Sequence, residues 1–529
     1  MGDYIDSSTD SFAEGSAPNL QPNRRQVHPA QWGVAAPCSS EDFKTKTHER
    51  KPLAKDWSHR LSSESSKRKG SSLKSAIKHL QKPDLISLGG GLPLSEFFPF
   101  DTISFTPGFV PSTARKPASS SSREAHQAGK NDIAEGRSVF DVSVALNYGQ
   151  GSGSAQLLRW ITEHTELVHD PPYLDWQCTM TIGNTSALDM AFRMLTKQGD
   201  LVLSDSYTFA SAVETALPMG VKFFGVEMDR EGLLPDRLME VLDNWDEAER
   251  GAEKPFLLYL VPTGQNPTGS TQSLERRKAI YRVAQKHDLI ILEDDPYYFI
   301  QMDPYVPPSK NCSTSSTAAP APADLLKMIV PSYLSIDVDG RVMRMDSFSK
   351  VISPGSRVGW ITAPQAIVDR YKGHADVSTQ GPSGFSQLAL FKLLDEFWGH
   401  AGYLEWLLHL RREYTKRRDF MICSCEQHLP KDIVSWEPAE AGMFLWLRVS
   451  WDKHPDASVK SASKIEEEIW QQTIEHGALV ARGSWFNAAD DISCQDIFFR
   501  VTFAAAPLEK VDEAVKRLGN ALRSCFQLL

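Results

Sequence analysis

The stretch RMDSFSKVISPGSRVGW (344–360) gathers residues suited to amine chemistry on a carbonyl: Lys350 ends a run that reads as a strand, flanked by Ser347 and Ser349, with Arg357 seven residues on. An amine that condenses with an aldehyde must shed its proton, and a fixed neighbouring guanidinium lowers the pKa toward that state. The same Arg357 and the two serines are candidates to hold a phosphate. On its own S-x-S-K means little, because most lysines are solvated surface charges. Its weight comes from the company it keeps.

EDDPYY (293–298) follows the apolar run LIILE. Two acids at a strand end are often a solvated turn. The alternative is a carboxylate that keeps the ring nitrogen of a heteroaromatic electron sink protonated, with Asp295 as the candidate and Tyr298 close by to reach a ring oxygen. VPTGQNPTG (261–269) reads as a rigid turn, and that turn presents Asn266 as a second contact for the same oxygen. TIGNTSALDM (181–190) passes from strand through a small-residue turn into a helix, a natural seat for phosphate at Asn184 and Thr185. A helix merely capped by one of those two residues would look the same. Arg500, in IFFRVTFA, sits among apolar neighbours, where a guanidinium needs a partner: an internal acid or a substrate carboxylate.

The elements that must position these residues alternate. Strands are predicted at 178–182, 201–204, 221–226, 256–261 and 289–293, with helices at 185–197, 208–217 and 272–287 between them. That rhythm implies βαβ units and a mostly parallel sheet wrapped by helices, whose ligands sit at the carboxyl ends of the strands. From about 400 the pattern changes to the predicted strands GMFLWLRV (442–449), ALVARGSWF (478–486) and IFFRVTFA (497–504). A final helix follows, with Val511, Val515, Leu518 and Leu522 at helical spacing. Four parts result: a loosely attached or disordered arm over 1–70; a segment 71–145 belonging to a smaller domain; a large α/β domain over 146–400; and a small α+β domain over 401–529. Two low-complexity stretches, 111–137 and 307–324, read as surface insertions.

Composition narrows the partners. With 57 basic and 67 acidic residues the formal net charge is −10, and no basic footprint for nucleic acid or an anionic membrane is present. No apolar run is long enough to span a bilayer, and MGDYIDSSTD resembles neither a secretory leader nor an acylation signal. Seven scattered cysteines do not form a disulfide framework, and the C-x-C pair Cys423/Cys425 reads as helix surface or core. The expectation is a cytoplasmic enzyme with small-molecule partners and no metal.

The ordered set GNTSAL, PTGQNPTG, EDDPYY, DSFSK, SRVGW and FFR resembles the fold-type I, class I aminotransferases that use pyridoxal 5'-phosphate. Within them it is most similar to the fungal aromatic-amino-acid and the 2-aminoadipate/kynurenine aminotransferases, from about residue 72 onward. The resemblance implies that Lys350 forms the imine with the cofactor and shuttles the substrate's α-proton. It implies that Asp295 pairs with the ring nitrogen, that Asn266 and Tyr298 contact the ring oxygen, and that Asn184, Thr185, Ser347, Ser349 and Arg357 cradle the phosphate. Phe209 would stack on the ring where relatives often carry a tyrosine, Arg500 would bind the α-carboxylate, and Gly91 would let backbone approach it. Tyr148 would reach the site of a second subunit, so a homodimer with shared sites is implied. The reaction implied is transfer of an aromatic amino acid's amino group to a 2-oxo acid such as 2-oxoglutarate. An elimination or cyclisation on the same scaffold is the rival, and a DNA-binding regulator with a similar domain is a third reading that 1–70 does not favour.

Overall fold

Apolar strand runs separated by helices assemble into one seven-stranded sheet in the computed structural model, which describes residues 20, 32–46, 50–77, 79, 85–86, 88–112, 125–307, 320–489 and 496–528. In chain order the strands begin with a hairpin of β1 (Thr102–Phe105) and β2 (His126–Gly129), followed by β3 (Trp176–Thr181), β4 (Leu201–Asp205) and β5 (Lys222–Val226). A two-residue hairpin, β6 (Met228–Asp229) and β7 (Gly232–Leu233), precedes β8 (Leu257–Leu260), β9 (Ile290–Asp294), β10 (Val342–Ser347) and β11 (Gly359–Pro364). The large sheet has the order β3-β11-β10-β9-β8-β4-β5. Strands β10, β9, β8, β4 and β5 are mutually parallel, and β11 alone runs antiparallel to its neighbours.

Side-chain alternation splits the apolar residues of the sheet between two cores. Ile290, Leu292, Met343 and Met345 pack with the Asn184–Leu195 helix, while Ile291, Val342, Leu258 and Leu260 pack with the Ala155–Val168 and Leu274–Lys286 helices on the opposite face. A second sheet, β12 (Val434–Trp436), β13 (Phe444–Val449), β15 (Ile497–Thr502) and β14 (Ala481–Arg482), is antiparallel and covered by the Ala462–Glu475 and Leu508–Cys525 helices. The predicted strand 478–486 shortens to β14. Past it, Ser484 N–H and Arg482 Nε donate to Glu466 at 2.9 and 3.0 Å, and Gly483–Phe486 turns into a 3-10 helix. The boundary near 400 is spanned by a single helix, Gly399–His428. Its Tyr403, Leu404, Leu407 and Leu408 belong to the large core, and its Met421 and Cys425 to the small one. Cys423 lies exposed on that helix and Cys425 is buried.

Two expectations about the chain's first third need correction. The described part of the arm is docked: Trp32, Phe43 and Trp57 are buried against the large domain, Ser40 N–H donates to Gln177 Oε1 at 3.0 Å, and Ala54 N–H donates to Asp175 Oδ1 at 2.7 Å. Isolated aromatic anchors, each worth roughly 1.5–3 kcal/mol when buried, leave no periodic pattern for a sequence reading to detect. Residues 126–129 of the expected insertion 111–137 form β2, and the segment around them packs on the Gly384–Phe391 helix through Ala128, Phe140 and Val142 rather than on the four-stranded sheet. Residues 113–124 and 308–319 lie outside the described residues.

The arm's short Ser63–Lys67 helix is tied down by a hydrogen bond between Ser65 Oγ and His374 Nε2 at 3.0 Å. Burial, then the charge of Arg68, pushes His374 down to about 4. The unfolded chain therefore binds more protons than the folded one from roughly pH 6.5 downward. Stability is expected to fall as pH drops through that window, and His374→Gln should flatten the fall; thermal unfolding midpoints between pH 7 and 4.5 measure it.

Candidate active site

Lys350, Ser347, Ser349, Arg357, Asn184, Thr185, Phe209, Asn266 and Arg500 line one cavity of about 350 Å³. Topology explains the convergence. Asn184 follows β3, Phe209 follows β4, Asn266 follows β8, and Lys350 follows β10, all at carboxyl ends of the large sheet, while Arg500 enters from β15 of the small one. The two sheets are held together beside the cavity by Thr208 N–H donating to the Phe486 carbonyl at 2.8 Å and by Ala488 N–H donating to the Ser206 carbonyl at 3.0 Å.

The acid on the cavity is Asp294, not Asp295, and the phenol is Tyr297, not Tyr298. Strand parity is the reason: Asp294 continues the face of Ile290 and Leu292, toward the Asn184–Leu195 helix, whereas Asp295 continues the face of Ile291 and Glu293. On that far face Arg344 meets Glu293 at 2.9 Å, Asp295 at 3.3 Å and Asp346 at 2.8 Å, all fully or almost fully buried, with its guanidinium 4.5 Å from the Tyr298 ring. Asp295 and Tyr298 therefore belong to a buried ion cluster behind the site. Asp294 accepts from Asn184 Nδ2 at 2.7 Å and from the Tyr259 hydroxyl at 2.9 Å. Burial raises its pKa, and these two donors and Arg344 oppose the rise.

Lys350 is half-buried, and its pKa is lowered first by burial and then by the charges of Arg357 and Arg500. Arg500 donates to Asn266 Oδ1 at 2.6 Å and lies 4.4 Å from the Phe444 ring and 4.8 Å from the Phe486 ring. Among the described residues no carboxylate pairs with Arg500, so the internal-acid alternative does not apply to them.

At the other end the Asn184–Leu195 helix starts with Gly183 as N-cap and without a side-chain cap, which removes the capped-helix alternative for Asn184 and Thr185. Its first N–H groups and positive end are left for an anion. Gly183 has φ +100°, and a Cβ there would stand 2.5 Å from Arg357 Nη2, so both the turn and the guanidinium require glycine. Arg357 donates to the Ile182 carbonyl at 3.0 Å and to the Pro354 carbonyl at 3.2 Å, which anchors it over the helix start. Asn184 itself turns away from this end, because its Nδ2 is committed to Asp294 and to the Met345 carbonyl at 3.1 Å.

Residues 130–518 match the family model described as aminotransferase class I and II. The chain belongs to this family. An aromatic amino acid aminotransferase of Schizosaccharomyces pombe is 44% identical over 484 residues, covering 89% of this chain and 99% of the relative. An L-tyrosine:2-oxoglutarate aminotransferase of Serpula lacrymans is 33% identical, covering 83% and 85%. The crystal structure of aminotransferase Aro8 from Candida albicans superposes with a TM-score of 0.82 at 39% identity, covering 90% of this chain and all of that one.

The cofactor of this aminotransferase is pyridoxal 5'-phosphate, and the cavity fits it. A lysine with a lowered pKa shares the cavity with a carboxylate suited to a ring nitrogen and with an anion seat made of a helix start, Ser347, Ser349 and Arg357; Phe209 is on the wall. Besides Asp295 and Tyr298, two more expected residues are not brought there within one chain. Tyr148 is 62% exposed on the surface, and Gly91 is exposed with open space where a side chain would stand. Phe444, Pro296 and Val261 also line the cavity. Pro296 and Val261 lie inside EDDPYY and VPTGQNPTG without having been singled out there, and Phe444 is marked only by GMFLWLRV reading as a strand.

Proposed function

We propose that this aminotransferase transfers the amino group of an aromatic amino acid to a 2-oxo acid such as 2-oxoglutarate, as a cytoplasmic homodimer. The observation that carries the reading is Arg500, a guanidinium held by Asn266 and two aromatic rings, in the cavity that also holds Lys350. An aromatic donor and an acceptor such as 2-oxoglutarate have the α-carboxylate in common while their side chains differ, and a preorganised fork of this kind suits both. Aromatic walls at Phe209, Tyr297 and Phe444 support the aromatic donor, as do the activities named for the relatives.

Pyridoxal phosphate supplies an aldehyde for the amine and a ring that accepts electrons. The chain does the rest. Thr185, Ser347, Ser349, Arg357 and the helix N–H groups would hold the phosphate, Phe209 would pack on the ring, Asp294 would keep the ring nitrogen protonated, and Tyr297 and Asn266 would serve its oxygen. Arg500 would orient the substrate through its α-carboxylate, and the Lys350 amine would act as the base that takes the α-proton and the acid that returns it. Burial and the two arginines lower the Lys350 pKa, which favours the neutral amine that this task needs.

Exposed apolar side chains at Ile86, Leu88 and Phe97, on the same side of the sequence as Tyr148, support a second copy as the partner surface. The five described cysteines are free thiols, in keeping with a reducing compartment, and no described helix is long and apolar enough to cross a membrane. The division we propose is a cofactor-binding domain over 146–400 and a small domain over 401–529, with the Gly399–His428 helix crossing the boundary.

A panel of donors (phenylalanine, tyrosine, tryptophan, kynurenine, 2-aminoadipate, aspartate) with 2-oxoglutarate tests the substrate. The aromatic donors should give the highest kcat/KM. A preference for aspartate would refute the aromatic reading, and pyruvate or ammonia released without an acceptor would instead indicate the elimination chemistry.

A further inference from the structure

Tyr259 is fully buried on β8, on the same face of the sheet as Asp294, and nothing in the chemistry above uses it. Its hydroxyl donates to Asp294 Oδ2 at 2.9 Å, while Asn184 Nδ2 donates to Oδ1 of the same carboxylate at 2.7 Å. Neither donor can easily turn elsewhere. The Tyr259 ring is fixed edge-on by Phe223, 6.0 Å away at 80°, and the second hydrogen of the Asn184 amide is taken by the Met345 carbonyl at 3.1 Å. Burial and the neighbouring Asp294 hold the Tyr259 phenol well above its ordinary pKa, so it stays a donor.

We propose that Tyr259 is a positioning residue: together with Asn184 it clamps both oxygens of Asp294, so that the carboxylate meets the cofactor's ring nitrogen ionised and in one orientation. The inference rests on the cofactor assignment above. A buried carboxylate drifts toward its neutral form, and a neutral acid cannot hold a protonated ring nitrogen. A lysine or arginine in contact would keep it ionised but would also compete for it. Two neutral donors favour the charged form without that competition, and each carboxylate oxygen keeps a lone pair free. Fixing both oxygens also fixes the carboxylate plane.

The test is Tyr259→Phe, which keeps the ring and removes only the hydroxyl, read on the holoenzyme by the visible absorbance of bound pyridoxal phosphate against pH and by the affinity for added pyridoxal phosphate. The absorbance midpoint should move upward by about one pH unit, the value of one hydrogen bond to a charged group. Affinity should fall severalfold and kcat by roughly tenfold, with KM nearly unchanged. In an Asp294→Asn background the same substitution should shift the midpoint little or not at all, because its effect runs through that carboxylate. An unchanged midpoint and affinity in Tyr259→Phe would overturn the proposal, as would an undiminished shift in the double variant. A change in thermal stability alone would assign Tyr259 to packing and overturn it equally. If the wild-type protein takes up no pyridoxal phosphate, the cofactor assignment fails instead, a result distinct from any of these.

Discussion

Replacing Lys350 by alanine is expected to lower turnover by about 10⁴-fold or more, the upper range for loss of a general acid–base group, because the same amine also carries the cofactor. The visible absorbance of the bound cofactor should disappear with it. The fold should tolerate the change: Lys350 is only half-buried, and no described carboxylate pairs with it, so no buried charge is stranded. Stopped-flow turnover and absorbance spectra of the purified variant measure both effects. A variant that keeps its colour and its rate would remove Lys350 from the chemistry.

The second large effect separates two adjacent acids. Asp294→Asn should reduce kcat by about 10²–10³-fold, as loss of a preorganised electrostatic partner does, with little change in melting temperature. Asp295→Asn should leave kcat within a few-fold, because that carboxylate faces Arg344 and Thr263 rather than the cavity. Its effect belongs to stability. Burial, opposed by Arg344 and Arg277, raises Asp295 above its ordinary value, so in the window between its unfolded and folded values the folded chain holds more of a proton than the unfolded chain does. Stability from this group is then lost as pH rises through the window, and Asp295→Asn should flatten that slope. Equal losses of kcat in the two variants would contradict the placement.

The doublets EDD and YY each offer two residues in succession, and sequence alone does not say which acid and which phenol face the cavity. A strand's side chains alternate, so a one-residue slip exchanges the ligand face for the buried face, and both faces of a parallel strand are apolar enough to hide the register. Only the pairing of Arg344 with Glu293 across β10 and β9 fixes which acid goes where. The alternating strands and helices, and the strand-end positions of Asn266 and Lys350, were legible because periodicity and strand ends are local properties, whereas Phe209 and the meeting of these residues with Arg500 in one site were expected only from the family resemblance. The docking of Trp32, Phe43 and Trp57 was not, since single aromatic anchors have no period. Tyr148 and Gly91 were drawn from resemblance to a family whose members share sites between copies, and one chain alone does not bring them to its cavity.

Gly264, in the turn that presents Asn266, lies against Gly442, just ahead of the strand that carries Phe444, at φ +55° and +77°; a Cβ on the first would fall 2.4 Å from the other's nitrogen. Main chain therefore rests on main chain at this crossing, with no compressible side chain between. A side chain at either glycine would push these two turns apart, and with them Asn266 and Phe444, which face the same cavity a few residues on. The spacing between the turn of the large domain and the strand of the small one is thus set by backbone alone at this point.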